Sequence, residues 1–183
     1  MDPFVPRQIF LTKGQGQHKE KLASLEQALR EAGIAPFNLV KVSSIFPPGC
    51  RLISRKEGIK QLHPGQIVFL VMSENSTNEY QRLISASIGL AIPNDPKRYG
   101  YLSEHHSFGQ DEKEAGQYAE DLAADMLATT LGKNFDCTQI WSEEKDLYDL
   151  GDGIQVRTKH ITQLARGKKG FWTTAFAAAV MIP

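Results

Sequence analysis

The stretch Asn38-Leu39-Val40-Lys41-Val42-Ser43-Ser44-Ile45-Phe46-Pro47-Pro48-Gly49 decides how the rest of this chain is read. Val40 and Val42 are β-branched and suit a strand, whereas Pro47-Pro48-Gly49 cannot continue a hydrogen-bonded ladder. Ser44 therefore falls where a strand is forced to turn, and such turns can store backbone strain for chemistry. Taken alone, a serine pair before a Pro-Gly turn is usually a pair of solvated or turn-bonded hydroxyls.

Working outward, residues 8–12 read as a strand ended by a turn at Gly14-Gln15-Gly16. That Gly-x-Gly lacks both a third glycine and the Gly-Lys-Ser/Thr of a phosphate loop. Residues 19–32 read as an amphipathic helix with Leu22, Leu25, Leu29 and Ala32 on one face, closed by Gly33. Glu26 lies about 80° from the centre of that stripe, an edge position able to face a pocket. Without further context it reads as a solvated helix carboxylate. Residues 51–54 read as a strand, 56–62 as a short helical turn, and 67–72 as a strand covered on both faces. Residues 74–79, with the Asn75-Ser76-Thr77 sequon, read as a polar loop.

In residues 84–92, bulky Ile84, Ala86, Ile88, Leu90 and Ile92 alternate with small Ser85, Ser87, Gly89 and Ala91. The last strand repeats the device: Thr173, Ala175, Ala177 and Ala179 lie opposite Trp172, Thr174, Phe176, Ala178, Val180 and Ile182. A strand face of small residues lets another layer or another subunit approach closely. Residues 99–106 read as a strand with Leu102, Glu104 and His106 on one face and Tyr101, Ser103 and His105 on the other. His105 and His106 thus point apart and cannot easily share a metal ion, so none is expected. Residues 111–131 read as a helix with the stripe Ala115, Tyr118, Ala119, Leu122, Ala123, Met126 and Leu127. Asp111 with Glu114 forms a capping-box pattern and Gly132 can end the helix. Residues 154–164 and 171–182, joined by a turn at 166–170, read as a hairpin.

The bulk composition narrows the class. At 183 residues the chain fits one domain with a sizeable core. Its 21 basic and 21 acidic residues cancel, which gives no long-range attraction to nucleic acid or an anionic membrane. Cys50 and Cys137 form no C-x-x-C pair and read as reduced thiols of a cytoplasmic protein. Residues 1–6 have no signal-peptide pattern, and the apolar run 171–182 is too short for a membrane-spanning helix.

Asn38-Leu39 leading into Val42-Ser43-Ser44-Ile45-Phe46-Pro47-Pro48 resembles the self-cleavage site of the pyruvoyl-dependent arginine decarboxylases. Matching stretches follow in order: Ala32-Gly33-Ile34, Ala86-Ser87-Ile88-Gly89-Leu90-Ala91-Ile92-Pro93, Gly100-Tyr101-Leu102-Ser103-Glu104, and the Ala-rich last strand. Together they span nearly the whole chain, and several stretches in the right order are more specific than a serine pair. The resemblance implies an α+β fold: a single-domain, four-layer α-β-β-α sandwich of mainly antiparallel sheets. It also implies a homotrimer or dimer of trimers with active sites between subunits.

For chemistry, the resemblance implies cleavage between Ser43 and Ser44, giving fragments 1–43 and 44–183. The Ser44 hydroxyl would attack the Ser43 carbonyl, and Ser44 would end as a covalent pyruvoyl group, with no pyridoxal phosphate and no metal. Attack places negative charge on the Ser43 oxygen and calls for a fixed donor. Asn38 matches the family's residue for that work, although an asparagine at a strand start also suits a turn. A pyruvoyl carbonyl forms a Schiff base with an amine and takes up the electrons released with carbon dioxide. Glu104 matches the proton donor and is expected in an apolar, partly desolvated setting. Ser43 and Glu26 match substrate-binding positions, and L-arginine with its product agmatine is the implied chemistry. Glu26 stands where one branch of the family has aspartate, which leaves another amino acid open as substrate. The segments around Glu112 and Trp141 look longer than in the compact archaeal members. A non-cleaving structural homologue is the reading from outside the enzymes.

Overall fold

The computed structural model describes residues 5–134, 136, 141–142 and 147–183. Two sheets form the centre. The first has the order β2 (Asn38–Lys41), β5 (Ile67–Thr77), β11 (Trp172–Ile182), β1 (Gln8–His18) and β4 (Arg51–Ile53). The second has the order β3 (Ile45–Phe46), β7 (Gly100–Phe108), β6 (Leu83–Pro93), β10 (Gln155–Arg166), β9 (Leu147–Asp149) and β8 (Trp141–Ser142). Pairing is antiparallel except for β2 with β5 and β1 with β4. Helices α1 (Lys21–Ala32) and α2 (Arg55–Ile59) pack with the first sheet, and α3 (Glu112–Thr130) with the second.

Three apolar clusters separate four layers. Ile9, Val71, Ile88, Leu90, Leu102 and Ala177 fill the space between the sheets. Phe10, Ala28, Ala32, Phe176 and Val180 join the first sheet to α1. Ala91, Ala123, Leu127 and Val156 join the second sheet to α3. The fold is thus the α-β-β-α sandwich implied by the resemblance. The small-residue faces work as expected. Ala175, Ala177 and Ala179 lie in the inter-sheet core, and a Cβ on Gly89 would come within 2.1 Å of the Ala119 carbonyl oxygen of α3.

Five local readings change. Gly14 and Gly16 are interior positions of β1, not a turn. A Cβ there would lie 2.2 Å from the Ala28 oxygen and 2.0 Å from the Ser24 oxygen, so glycine admits α1 against the sheet. Consequently α1 buries small Ser24, Ala28 and Ala32, while Leu22 is 79% exposed. Strand β5 continues through the supposed loop 74–77, because its inward polar residues are hydrogen-bonded: Ser73 Oγ donates to the His105 oxygen and Asn75 Nδ2 to the Ser107 oxygen. The sequon asparagine is therefore a buried strand residue. The buried stripe of α3 is rotated to Ala115, Gly116, Ala119, Ala123 and Leu127, leaving Tyr118 half exposed. Finally, β10 and β11 are not hairpin partners: they lie in different sheets, so the turn between them crosses the sandwich.

Helix ends follow the sequence more closely. Asp111 and Glu114 make the reciprocal capping box of α3, and Ser54 with Glu57 makes a second at α2. Gly33 ends α1 at φ 77°, the left-handed conformation open to glycine.

Candidate active site

Strand β2 is an edge of the first sheet, and its last bond there is from Val42 N–H to the Leu70 oxygen at 3.0 Å. Strand β3 is an edge of the second sheet, with Ile45 opposite Tyr101 and Phe46 opposite Gly100. Only Val42, Ser43 and Ser44 lie between the two strands. The Ser44 oxygen accepts from Leu102 N–H at 2.8 Å, so Ser44 already belongs to the second sheet.

The crossing is a three-residue turn. Ile45 N–H donates to the Ser43 oxygen at 3.1 Å, which closes a γ-turn with Ser44 at its centre. Ser44 is not among the residues with positive φ, so the turn is the inverse form. Phe46 and Pro47 are buried and fix the chain beyond it, while Ser43 is exposed. An open cavity of about 370 Å³ adjoins the turn, with Val42, Ser43, Ile45, Pro47, Phe69 and Met181 in its wall.

Glu104 lies on β7, two residues past Leu102, on the face turned toward the first sheet. Its carboxylate pairs with Lys41 Nζ at 2.5 Å, with the side chains 27% and 55% exposed. The Glu104 side chain is thus partly buried, and its partner is an ammonium ion. Lys41 is the residue that sequence reasoning missed. It stood inside the decisive stretch, yet its contact needs a strand from the other sheet. An ion pair this exposed contributes about 0–1 kcal/mol to stability, so its larger effect is to fix where the Glu104 carboxylate lies.

Two other site residues are placed elsewhere within one chain. Asn38 begins β2, and its Nδ2 donates to the Gly65 oxygen at 2.7 Å. Five extended residues put it roughly 16 Å of strand from Ser43. Glu26 is on α1, where it accepts from Arg30 Nε at 2.5 Å. That helix covers β1 and β11, whereas β2 is separated from β11 by β5. Within one chain Lys41 and Glu104 pair on the two strands that flank the serine pair, whereas Asn38 and Glu26 are held elsewhere.

Cys50, just past the turn, packs against the inter-sheet core, and burial pushes its thiol up to about 11. Cys137 lies outside the described residues. His105 bonds Gln110 and stacks with Tyr118 beside α3, whereas His106 is exposed on the opposite face. Among the described residues no three His, Cys, Asp or Glu side chains converge, and no helix is long and apolar enough to cross a membrane.

The chain thus passes between two packed sheets through a serine pair, with Glu104 on the adjoining strand. Comparison with known proteins identifies the family. Residues 8–183 match the family model described as pyruvoyl-dependent arginine decarboxylase. A probable pyruvoyl-dependent arginine decarboxylase of Chlorobium phaeovibrioides is 58% identical over 180 residues, covering 98% of this chain and 99% of that protein. Pyruvoyl-dependent arginine decarboxylases of Methanococcoides burtonii and Nitrosopumilus maritimus are each 54% identical over 179 residues, covering 97% of this chain and 99% and 97% of theirs. The chain belongs to the pyruvoyl-dependent arginine decarboxylase family.

Proposed function

We propose that this chain cuts itself between Ser43 and Ser44 and then decarboxylates L-arginine to agmatine and carbon dioxide. The observation that carries this is the inverse γ-turn at Ser44, held between two sheets with Glu104 on the adjoining strand. The residues present fit a pyruvoyl group, since Ser44 supplies its three carbons and its neighbours are already ordered. Once formed, that group supplies an electrophilic keto-carbonyl that draws off the electrons released as carbon dioxide leaves.

The chain's own residues do the rest. Ser44 Oγ attacks the Ser43 carbonyl carbon, the C–N bond breaks, and the hydroxyl proton passes to the Ser44 nitrogen, leaving an ester and an amine. Loss of the Ser44 Cα proton then expels the ester as the Ser43 carboxylate and leaves dehydroalanine. Water replaces its nitrogen, which departs as ammonia. During turnover Glu104 delivers a proton to the former α-carbon of the substrate, and Lys41 holds its carboxyl group in place. The apolar cavity beside Ser43 receives the substrate's methylene chain, and Ser43 contributes a polar contact at its mouth.

A guanidinium calls for a carboxylate, and Glu26 is the candidate. Because α1 lies over the wrong strands for Ser44 of its own chain, Glu26 reaches the site of a neighbouring subunit. Asn38 is assigned in the same way, to a neighbouring subunit's site during turnover. This favours a homotrimer, or a dimer of trimers, with sites at the subunit interfaces. The working compartment is the cytoplasm, and agmatine serves polyamine supply or acid resistance.

The test combines denaturing electrophoresis, the mass of the fragment beginning at residue 44, and carbon dioxide release across a panel of amino acids. Two fragments, a carbonyl trapped by borohydride at residue 44, and release from arginine are expected. A single intact band with no trapped carbonyl rules the activity out, and release from another amino acid corrects the substrate.

A further inference from the structure

We propose that the backbone N–H of Ile45 is the oxyanion donor of the self-cleavage step. It takes up the negative charge that forms on the Ser43 oxygen when Ser44 attacks. This rests on the reading that the Ser43–Ser44 bond is the one cut.

Three donors could serve that oxygen. The Asn38 amide is occupied by Gly65 and lies at the far end of β2. The Lys41 ammonium is on Glu104. Ile45 N–H is already on the Ser43 oxygen, at 3.1 Å. A γ-turn bond is bent and long in the resting amide. As the oxygen gains a full charge, a charge-assisted bond of about 2.7–2.9 Å becomes available. The contact therefore strengthens toward the transition state, which is the requirement for catalysis as opposed to binding.

The turn also couples donor and nucleophile. Ser44 is the central residue of the seven-membered hydrogen-bonded ring. Its own side chain closes a five-membered ring onto the Ser43 carbonyl carbon when it attacks. One backbone conformation at Ser44 thus sets both. That conformation is held from two sides, by Val42 N–H on Leu70 in one sheet and by Leu102 N–H on Ser44 in the other. Residues 42–46 include no glycine that would let it relax. A donor held this way needs no reorganisation when charge develops.

The experiment replaces Ile45 by its α-hydroxy acid analogue in the full chain, exchanging one N–H for an ester oxygen. Formation of fragments 1–43 and 44–183 is followed by denaturing electrophoresis and mass spectrometry, which separates this cut from hydrolysis of the new ester. A slowing of about 10²-fold or more is expected, the usual cost of one oxyanion donor. The same exchange at Leu131 removes a backbone bond to the Leu127 oxygen at the end of α3, away from the turn, so it should slow cleavage by no more than about threefold. An Ile45 ester cut as fast as wild type, or a Leu131 ester slowed equally, overturns the proposal. Should the esters not fold, amide exchange in uncut Ser44→Ala decides: the Ile45 N–H must be protected, and exchange at the free-amide rate overturns the proposal. Wild-type chain that is never cut would instead remove the reading beneath it.

Discussion

Of the places where the chain passes between its two sheets, two are of very different construction. From β10 to β11 it uses the five residues 167–171. Gly170 adopts φ 77°, Phe171 N–H closes onto Lys168, Lys168 N–H bonds Thr173 Oγ1, and Gly167 exchanges bonds with Gln81 and Arg82. From β2 to β3 it uses only residues 42–44, with no glycine, and turns about Ser44 through a single bent bond. The first crossing has enough length and enough glycine to satisfy its backbone in relaxed geometry. The second lacks both, and it contains the peptide proposed for cleavage. A crossing becomes reactive here through shortness, a hydroxyl at its centre, and anchors in two separate sheets.

The comparison can be broken most directly at Ser44. Ser44→Ala should leave a single uncut band and no carbon dioxide release, with the fold kept, as read by electrophoresis and circular dichroism. Next in size is Glu104→Gln. Its chain should still be cut, while turnover on arginine falls about 10²–10⁴-fold, the usual contribution of a positioned proton donor. Full activity would remove Glu104 from the mechanism. Two glycines inserted between Val42 and Ser43 would give the short crossing the slack of the long one. Cleavage should then slow about 10²-fold through lost alignment, measured as the half-time of fragment appearance. Lys41→Met should leave cleavage intact and lower kcat about tenfold, with a change of about 1 kcal/mol or less in unfolding free energy. Gly167→Ala sharpens the contrast from the other side. Its Cβ would meet the Glu79 oxygen at 1.8 Å, so a loss of about 1–3 kcal/mol in a denaturant melt is expected. The fraction cut should not change.

Much of the architecture was legible. The alternation of bulky and small residues in 84–92 and 172–182 located two central strands and their close-packed faces. The capping box and terminal glycine bounded α3. Misreadings share one cause. Gly14 and Gly16 looked like a turn because a glycine admitting a helix and a glycine bending a chain are written the same way. Residues 74–77 looked like a loop because their polar side chains find partners on β7, which no local pattern shows. Leu22 looked buried because the helical period fixes a face, not which face the sheet covers. The serine pair was legible only through resemblance, and Lys41 had no signal beyond its place beside it.

By itself the sequence determined what local sterics and periodicity can determine: where the main strands and helices lie, where α1 and α3 stop, and that a serine pair meets a turn before two prolines. The tertiary structure alone decided that β2 and β3 lie in opposite sheets. It also decided that Lys41 meets Glu104 across 63 positions of chain, and that Ile45 N–H closes on the Ser43 oxygen. Those facts depend on which layer each strand joins, and that choice is made by burying apolar surface over the whole molecule, not by any one segment.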